Sequence, residues 1–248
     1  MRKRVFQKTS AAIFLPLLIS GVVFAEIPTG PAETILLPGT KGRIDHLALD
    51  LEGRRLFIAA LGHDAVEAVD LASGKKIRSI GGFREPQGVL YLARLKKLYV
   101  TNGGNGELDV LDGDFLRIIK RIRFSEDADN IRFDEGTGLV YVGYGMALGI
   151  VDPEKDEIVG NVPLSGHPEG FQIERTGARI FVNVPTAGRI EVVDKTARKI
   201  IGSWTLGDLS SNFPMALDEA EGLLFVACRR PGKVAVFTVD GRMIQELE

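Results

Sequence analysis

Short apolar runs recur along the chain at nearly constant spacing, each closed off by turn residues. Five of them align: Leu56-Phe57-Ile58-Ala59-Ala60, Leu98-Tyr99-Val100-Thr101-Asn102, Val140-Tyr141-Val142-Gly143-Tyr144, Ile180-Phe181-Val182-Asn183-Val184 and Leu224-Phe225-Val226-Ala227-Cys228. The aromatic falls at 57, 99, 141, 181 and 225, in steps of 42, 42, 40 and 44. A second run follows each core, from Val66 to Asp70, Leu108 to Asp112, Leu148 to Asp152, Ile190 to Asp194 and Val234 to Thr238. Two independent signals holding one register identify an internal repeat.

Each repeat reads as four short strands. The first is half polar (His46 to Asp50, Gly88 to Leu92, Asn130 to Asp134, Gly170 to Glu174, Pro214 to Asp218), and the aromatic core is the second. The run ending in Asp or Thr is the third, and Ile77 to Ile80, Ile118 to Ile122, Ile158 to Val162, Ile200 to Thr205 and Met243 to Leu247 form the fourth. Gly53, Gly136, Gly177, Gly188, Ser73-Gly74 and Asp240-Gly241 supply turns between them. A core strand apolar on both faces cannot be covered by one four-stranded sheet, whereas sheets stacked radially cover each other. The pattern therefore predicts an all-β β-propeller with five repeats present, blades at 43–83, 84–124, 125–164, 165–206 and 207–248.

Tyr99-Val100-Thr101-Asn102 is the signature of the YVTN-type repeat, and the other cores are variants of it. Residues 43 to 248 resemble the secreted bacterial YncE-like proteins of that family. The resemblance implies a binding scaffold, usually a closed ring of seven blades. Thr34 to Leu37 resembles the outer strand before each later repeat, so 26–42 is expected to carry a ring-closing outer strand, the twenty-first. The expectation is an incomplete seven-bladed propeller lacking its last two blades, that is, an open arc with two exposed blade faces.

The N-terminus changes the picture of where the chain works. Arg2, Lys3, Arg4 and Lys8 precede an apolar run of 14 residues, Ala11 to Phe24, with Val23 and Ala25 at small-residue cleavage positions. This predicts a signal peptide over 1–25, cleaved after Ala25, and a periplasmic or secreted product. The run is shorter than the roughly 20 residues of a span and contains Pro16, so no membrane span is expected in the mature chain. Cleavage removes four basic and no acidic side chains, leaving a net charge of −6, which disfavours general nucleic-acid binding. Arg117, Lys120, Arg121 and Arg123 read as charges guarding an outer strand. The single cysteine, Cys228, excludes an internal disulfide and falls on a buried second strand.

Candidate chemistry converges at one place. In a propeller the first strands line the central channel, so residues just before them ring one mouth. Twelve residues before the aromatic stand Asp45, Gln87, Asp129, Glu169 and Phe213, with His46, Asn130, His167 and Asn212 beside them. Acidic, amide and imidazole groups converging from distant repeats suit an oxygen-rich cation site or a polar ligand pocket. Turn capping is the structural alternative for such short polar residues. Asp45, Asp129 and Glu169 are the candidate ligands for a divalent cation such as calcium. At the other end of the first strand, Asp50, Asp134, Glu174 and Asp218 read as turn formers.

The chain has no Gly-x-Ser-x-Gly elbow, Cys-x-x-Cys-His haem site or phosphate-binding Gly-rich loop, and only one tryptophan, Trp204. The leading expectation is a scaffold without catalytic residues that binds a small ligand or a protein partner. A metal-dependent hydrolase of the sugar-lactone type is the alternative, with Asp129, Asn130, Glu169 and Asn212 imitating its cation site. A structural cell-surface repeat is a third reading.

Overall fold

A computed structural model of the protein describes residues 34–248; the expected signal peptide and residues 26–33 of the 26–42 segment lie outside these residues. Twenty strands form five antiparallel four-stranded sheets, each from one repeat in chain order. Blade 1 holds β1 (Leu47–Asp50), β2 (Arg55–Ala60), β3 (Ala65–Asp70) and β4 (Lys75–Gly81). Blade 2 holds β5 (Pro86–Leu92), β6 (Lys97–Asn102), β7 (Glu107–Asp112) and β8 (Ile118–Arg123). Blade 3 holds β9 (Ala128–Asp134), β10 (Leu139–Tyr144), β11 (Ala147–Asp152) and β12 (Glu157–Pro163). Blade 4 holds β13 (Phe171–Ile173), β14 (Arg179–Val184), β15 (Arg189–Asp194) and β16 (Lys199–Thr205). Blade 5 holds β17 (Ser210–Asp218), β18 (Leu223–Arg230), β19 (Gly232–Thr238) and β20 (Met243–Leu247). Among the described residues the only helical segments are three short 3-10 turns, and no helix is long and apolar enough to cross a membrane.

The repeat aromatics are the pins of the core. Phe57, Tyr99, Tyr141 and Phe181 are all buried in clusters that reach into the following blade. Tyr99 packs with Ile131 and Val142 of blade 3, and Phe181 with Val226 and Phe237 of blade 5. Burial of each such side chain stabilises by roughly 1.5 to 3 kcal/mol, and an isolated blade would lose most of it. In every blade the pairing of the third and fourth strands slips at one place, between Ala68 and Val69, Val110 and Leu111, Ile150 and Val151, Val192 and Val193, and Val236 and Phe237. A bulge at this point increases the twist and turns the outer strand away from the channel.

The first strands contact one another in the order β1, β5, β9, β13, β17, and no contact of comparable extent joins β17 to β1. The blades thus form an arc. At its ends, Leu47 is 53% and Leu49 51% exposed on β1, and Phe225 and Ala227 on β18 are only half-buried where their inner-blade counterparts are buried. The two exposed blade faces agree with the expectation of an open arc. Thr34 to Leu37 joins none of the five sheets, and the last blade of a seven-bladed ring, which it is expected to complete, is not among the described residues. An apolar alternation makes a strand only where a partner offers a free ladder edge, and each sheet already takes its fourth strand from its own repeat.

Neighbouring blades are also latched by charge. Two residues before the aromatic, Arg55, Lys97 and Arg179 donate to carbonyl oxygens of Gly113, Pro153 and Val239 at the end of the next blade's third strand. Blade 3 has Leu139 at this position, and there the direction reverses: Lys195 of blade 4 reaches back to Asp134 at 3.1 Å, with both side chains buried. All four latches lie at the end of the first strands away from Asp45 and its equivalents.

Candidate functional site

The polar mouth is built by the loops that enter the first strands. Asp45, Gln87, Asp129, Glu169 and Phe213, one from each blade, line a cavity of 460 Å³ together with His46, Asn130 and His167. The loops can come this close because Gly88 and Gly170 lack a Cβ. A Cβ on Gly170 would lie 2.5 Å from the Phe213 carbonyl oxygen, and one on Gly88 would collide with the Asp129 carbonyl oxygen. The opposite end of the channel has a second cavity of 560 Å³ with a more apolar wall that includes Leu49, Leu90, Ile131, Phe133 and Ile173. The two mouths are therefore chemically different.

Asn212 does not join the mouth. Its amide donates to Asn183 Oδ1 at 2.9 Å and to the Arg189 carbonyl at 3.1 Å, fully buried between blades 4 and 5. The four-residue set expected for a lactonase-like cation site is thus not assembled. Four charged residues were not anticipated: Arg43, Asp127, Arg132 and Arg229 all line the cavity. Arg43, Asp127 and His167 occupy one repeat position, fourteen before the aromatic. Residues two apart in extended chain share a side, so carrying the ring register back by two residues would have found them.

Each polar group has a defined setting. Asp45 pairs with Arg43 at 2.9 Å. Asn130 Nδ2 bonds His46 Nε2 at 2.9 Å, which places the hydrogen of neutral His46 on Nδ1, 3.4 Å from Asp45 Oδ1 but not hydrogen-bonded to it. Gln87 donates to Asp127 at 3.2 Å. His167 Nδ1 lies 2.9 Å from the Gly145 carbonyl oxygen, and its Nε2 lies 3.6 Å from Asp127 Oδ2. The Arg229 guanidinium stacks 3.9 Å above the Phe213 ring.

Asp129 and Glu169 are the strained members. Asp129 is 5% exposed, and its Oδ1 is buried without a hydrogen-bond partner. Neither carboxylate has a cation within ion-pairing distance among the described residues. Burial pushes Asp129 up to about 6, opposed by nearby His46 and reinforced by Asp45 and Asp127. Burial also pushes Glu169 up to about 7, with Asp129 and Asp127 adding to the rise. Donor atoms of Asp129, His167 and Glu169 all lie within 4.8 Å of one another.

The expected turn formers behave as such. Asp50, Asp134 and Asp218 accept backbone N–H bonds from Gly53, Gly136, and Ala220 with Glu221. In the basic outer strand β8, Arg121 and Arg123 pair with Asp109 and Glu107 of their own blade.

Among solved structures, the chain resembles hydrazine synthase from Kuenenia stuttgartiensis, a β-propeller-containing protein, with a TM-score of 0.74 and 17% identity over 88% of this chain and 68% of that one. In all, 1503 solved chains match, so the likeness establishes a β-propeller and singles out no activity. No family model and no curated protein matches the sequence.

Proposed function

We propose that this chain is an exported, non-catalytic β-propeller scaffold of the YVTN type that captures a small, positively charged ligand at its polar channel mouth. Export is supported by the basic, apolar and small-residue order of the first 25 residues. The observation that carries the binding reading is the pair Asp129 and Glu169. Two carboxylates are held together, Asp129 buried and Glu169 half-buried, without a paired cation, and a ligand bearing positive charge relieves the cost of ionising both. The absence of a recognisable nucleophile motif in the sequence favours binding over turnover.

The test is thermal unfolding against a panel of amines, amino acids and divalent cations. At least one member raises the transition of the wild-type chain and leaves an Asp129→Asn, Glu169→Gln double variant unmoved. A panel in which nothing stabilises the wild type, or in which the double variant responds equally, removes this reading. Hydrolysis of a sugar lactone by the wild type, lost in the double variant, would replace the scaffold with the hydrolase.

A further inference from the structure

We infer that Asp129, His167 and Glu169 form a binding site for one divalent first-row transition ion, of the Zn²⁺ or Mn²⁺ kind, spanning the junction of blades 3 and 4. The inference rests on the reading of the mouth as a cation-binding site and names the ion class.

Three independent features point to a metal. The first is distance: ligands at about 2.0 to 2.2 Å from an ion are about 3.4 Å apart at the tetrahedral angle. Donor atoms already within 4.8 Å need to close by up to about 1.4 Å, within reach of a small shift of one blade edge. The second is the orientation of His167. A carbonyl oxygen only accepts, so the hydrogen shared with Gly145 belongs to Nδ1, and the Nε2 lone pair of the neutral ring is free. Metal-bound histidines are held in this way, with the second ring nitrogen donating to a backbone carbonyl or carboxylate. The third is Asp129, whose buried Oδ1 has no hydrogen-bond partner, while Thr101 occupies only its backbone carbonyl.

The donor types choose the ion. Calcium and magnesium prefer all-oxygen shells, whereas an imidazole with two carboxylates favours zinc, manganese and their row neighbours. The set expected from the sequence was Asp45, Asp129 and Glu169. The structure engages Asp45 with Arg43 and supplies His167 instead. Asp127, 3.6 Å from Nε2 and fixed by Gln87, stands beside the site as an outer carboxylate or a fourth ligand. With no ion bound, Asp127 is the alternative partner for a protonated His167.

The full chain, stripped with chelator, is titrated by calorimetry with Zn²⁺, Mn²⁺ and Ca²⁺, and Co²⁺ is added to read ligand-field absorption. One Zn²⁺ or Mn²⁺ binds per chain, and Ca²⁺ binds more weakly. His167→Gln and Glu169→Gln each weaken binding by more than the 10- to 100-fold typical of losing an outer partner. His63→Gln, an imidazole in the loop after β2, leaves binding unchanged. Melting curves of each variant establish that it is folded. The proposal is overturned by the absence of 1:1 binding of either ion, by binding that survives both variants, or by Ca²⁺ binding as tightly as Zn²⁺. If metals fail while an amine still stabilises the wild type but not the Asp129→Asn, Glu169→Gln variant, this site falls and the binding scaffold stands. If both fail, both readings fall.

Discussion

Glu169→Gln will make the metal-free protein more stable at pH 8, and the gain will vanish near pH 4.5. The substitution keeps the shape of the side chain and removes its charge. A carboxyl raised in the folded state holds its proton more tightly there than in the unfolded chain. Stability then falls as pH rises from the ordinary value of 4.5 to the folded value of about 7, and stays low above it. At about 1.36 kcal/mol per tenfold change in proton affinity, the full cost at pH 8 is about 3 kcal/mol. This is a ceiling, because water still reaches part of the side chain. For a domain of this size it corresponds to a transition roughly 6 to 12 °C higher at most. The assay is scanning calorimetry of wild type and variant in chelator at the two pH values. Zn²⁺ at a hundred times the wild-type Kd offsets most of the difference, because the wild type gains about 2.7 kcal/mol and the weakly binding variant little. A variant that melts at or below the wild type at pH 8, or that shows the same difference at both pH values, would refute the electrostatic reasoning.

Three further outcomes are expected. Lys195→Met leaves the Asp134 carboxylate buried without its cation, and denaturant titration should show a loss of about 3 to 5 kcal/mol. Gly170→Ala drives a methyl group against the Phe213 carbonyl, so it should cost about 1 to 3 kcal/mol and weaken ligand binding at the mouth, measured by melting and titration on one sample. Asn212→Ala removes two hydrogen bonds between blades 4 and 5 and should destabilise by about 1 to 3 kcal/mol in chemical unfolding, with metal affinity unchanged.

The fold was legible because each repeat had to bury the same face, so the aromatic and the Asp-terminated strand kept one register through five copies. The recurrent bulge left no residue type to read, since Ala68, Val110, Ile150, Val192 and Val236 before it and their successors are apolar residues with no glycine or other bulge marker among them. For Thr34 to Leu37 the pattern specifies a face but not a partner. At the mouth, the position twelve before the aromatic was readable, one side chain per blade. Asn212 lies thirteen before it, between the positions twelve and fourteen before the aromatic that line the cavity. A register irregularity between Asn212 and Met215 accompanies its turn inward to Asn183. The acids at the far ends of the first strands were readable as turn formers. The part of Asp134 in joining blades was not, because Lys195 lies 61 residues away.

The latches give the arc a lever. Asp134 and Lys195 fasten blades 3 and 4 at one end of β9, and Asp129 stands five residues along, about 16 Å away in extended chain. Rotating one blade about that fulcrum by about 5° shifts the far end by about 1.4 Å. This is the closure that Asp129 needs to meet His167 and Glu169 around an ion. A sheet with a rigid core can therefore complete the site without bending, and filling the site pulls two blades together at the rim opposite the latch of Asp134 and Lys195.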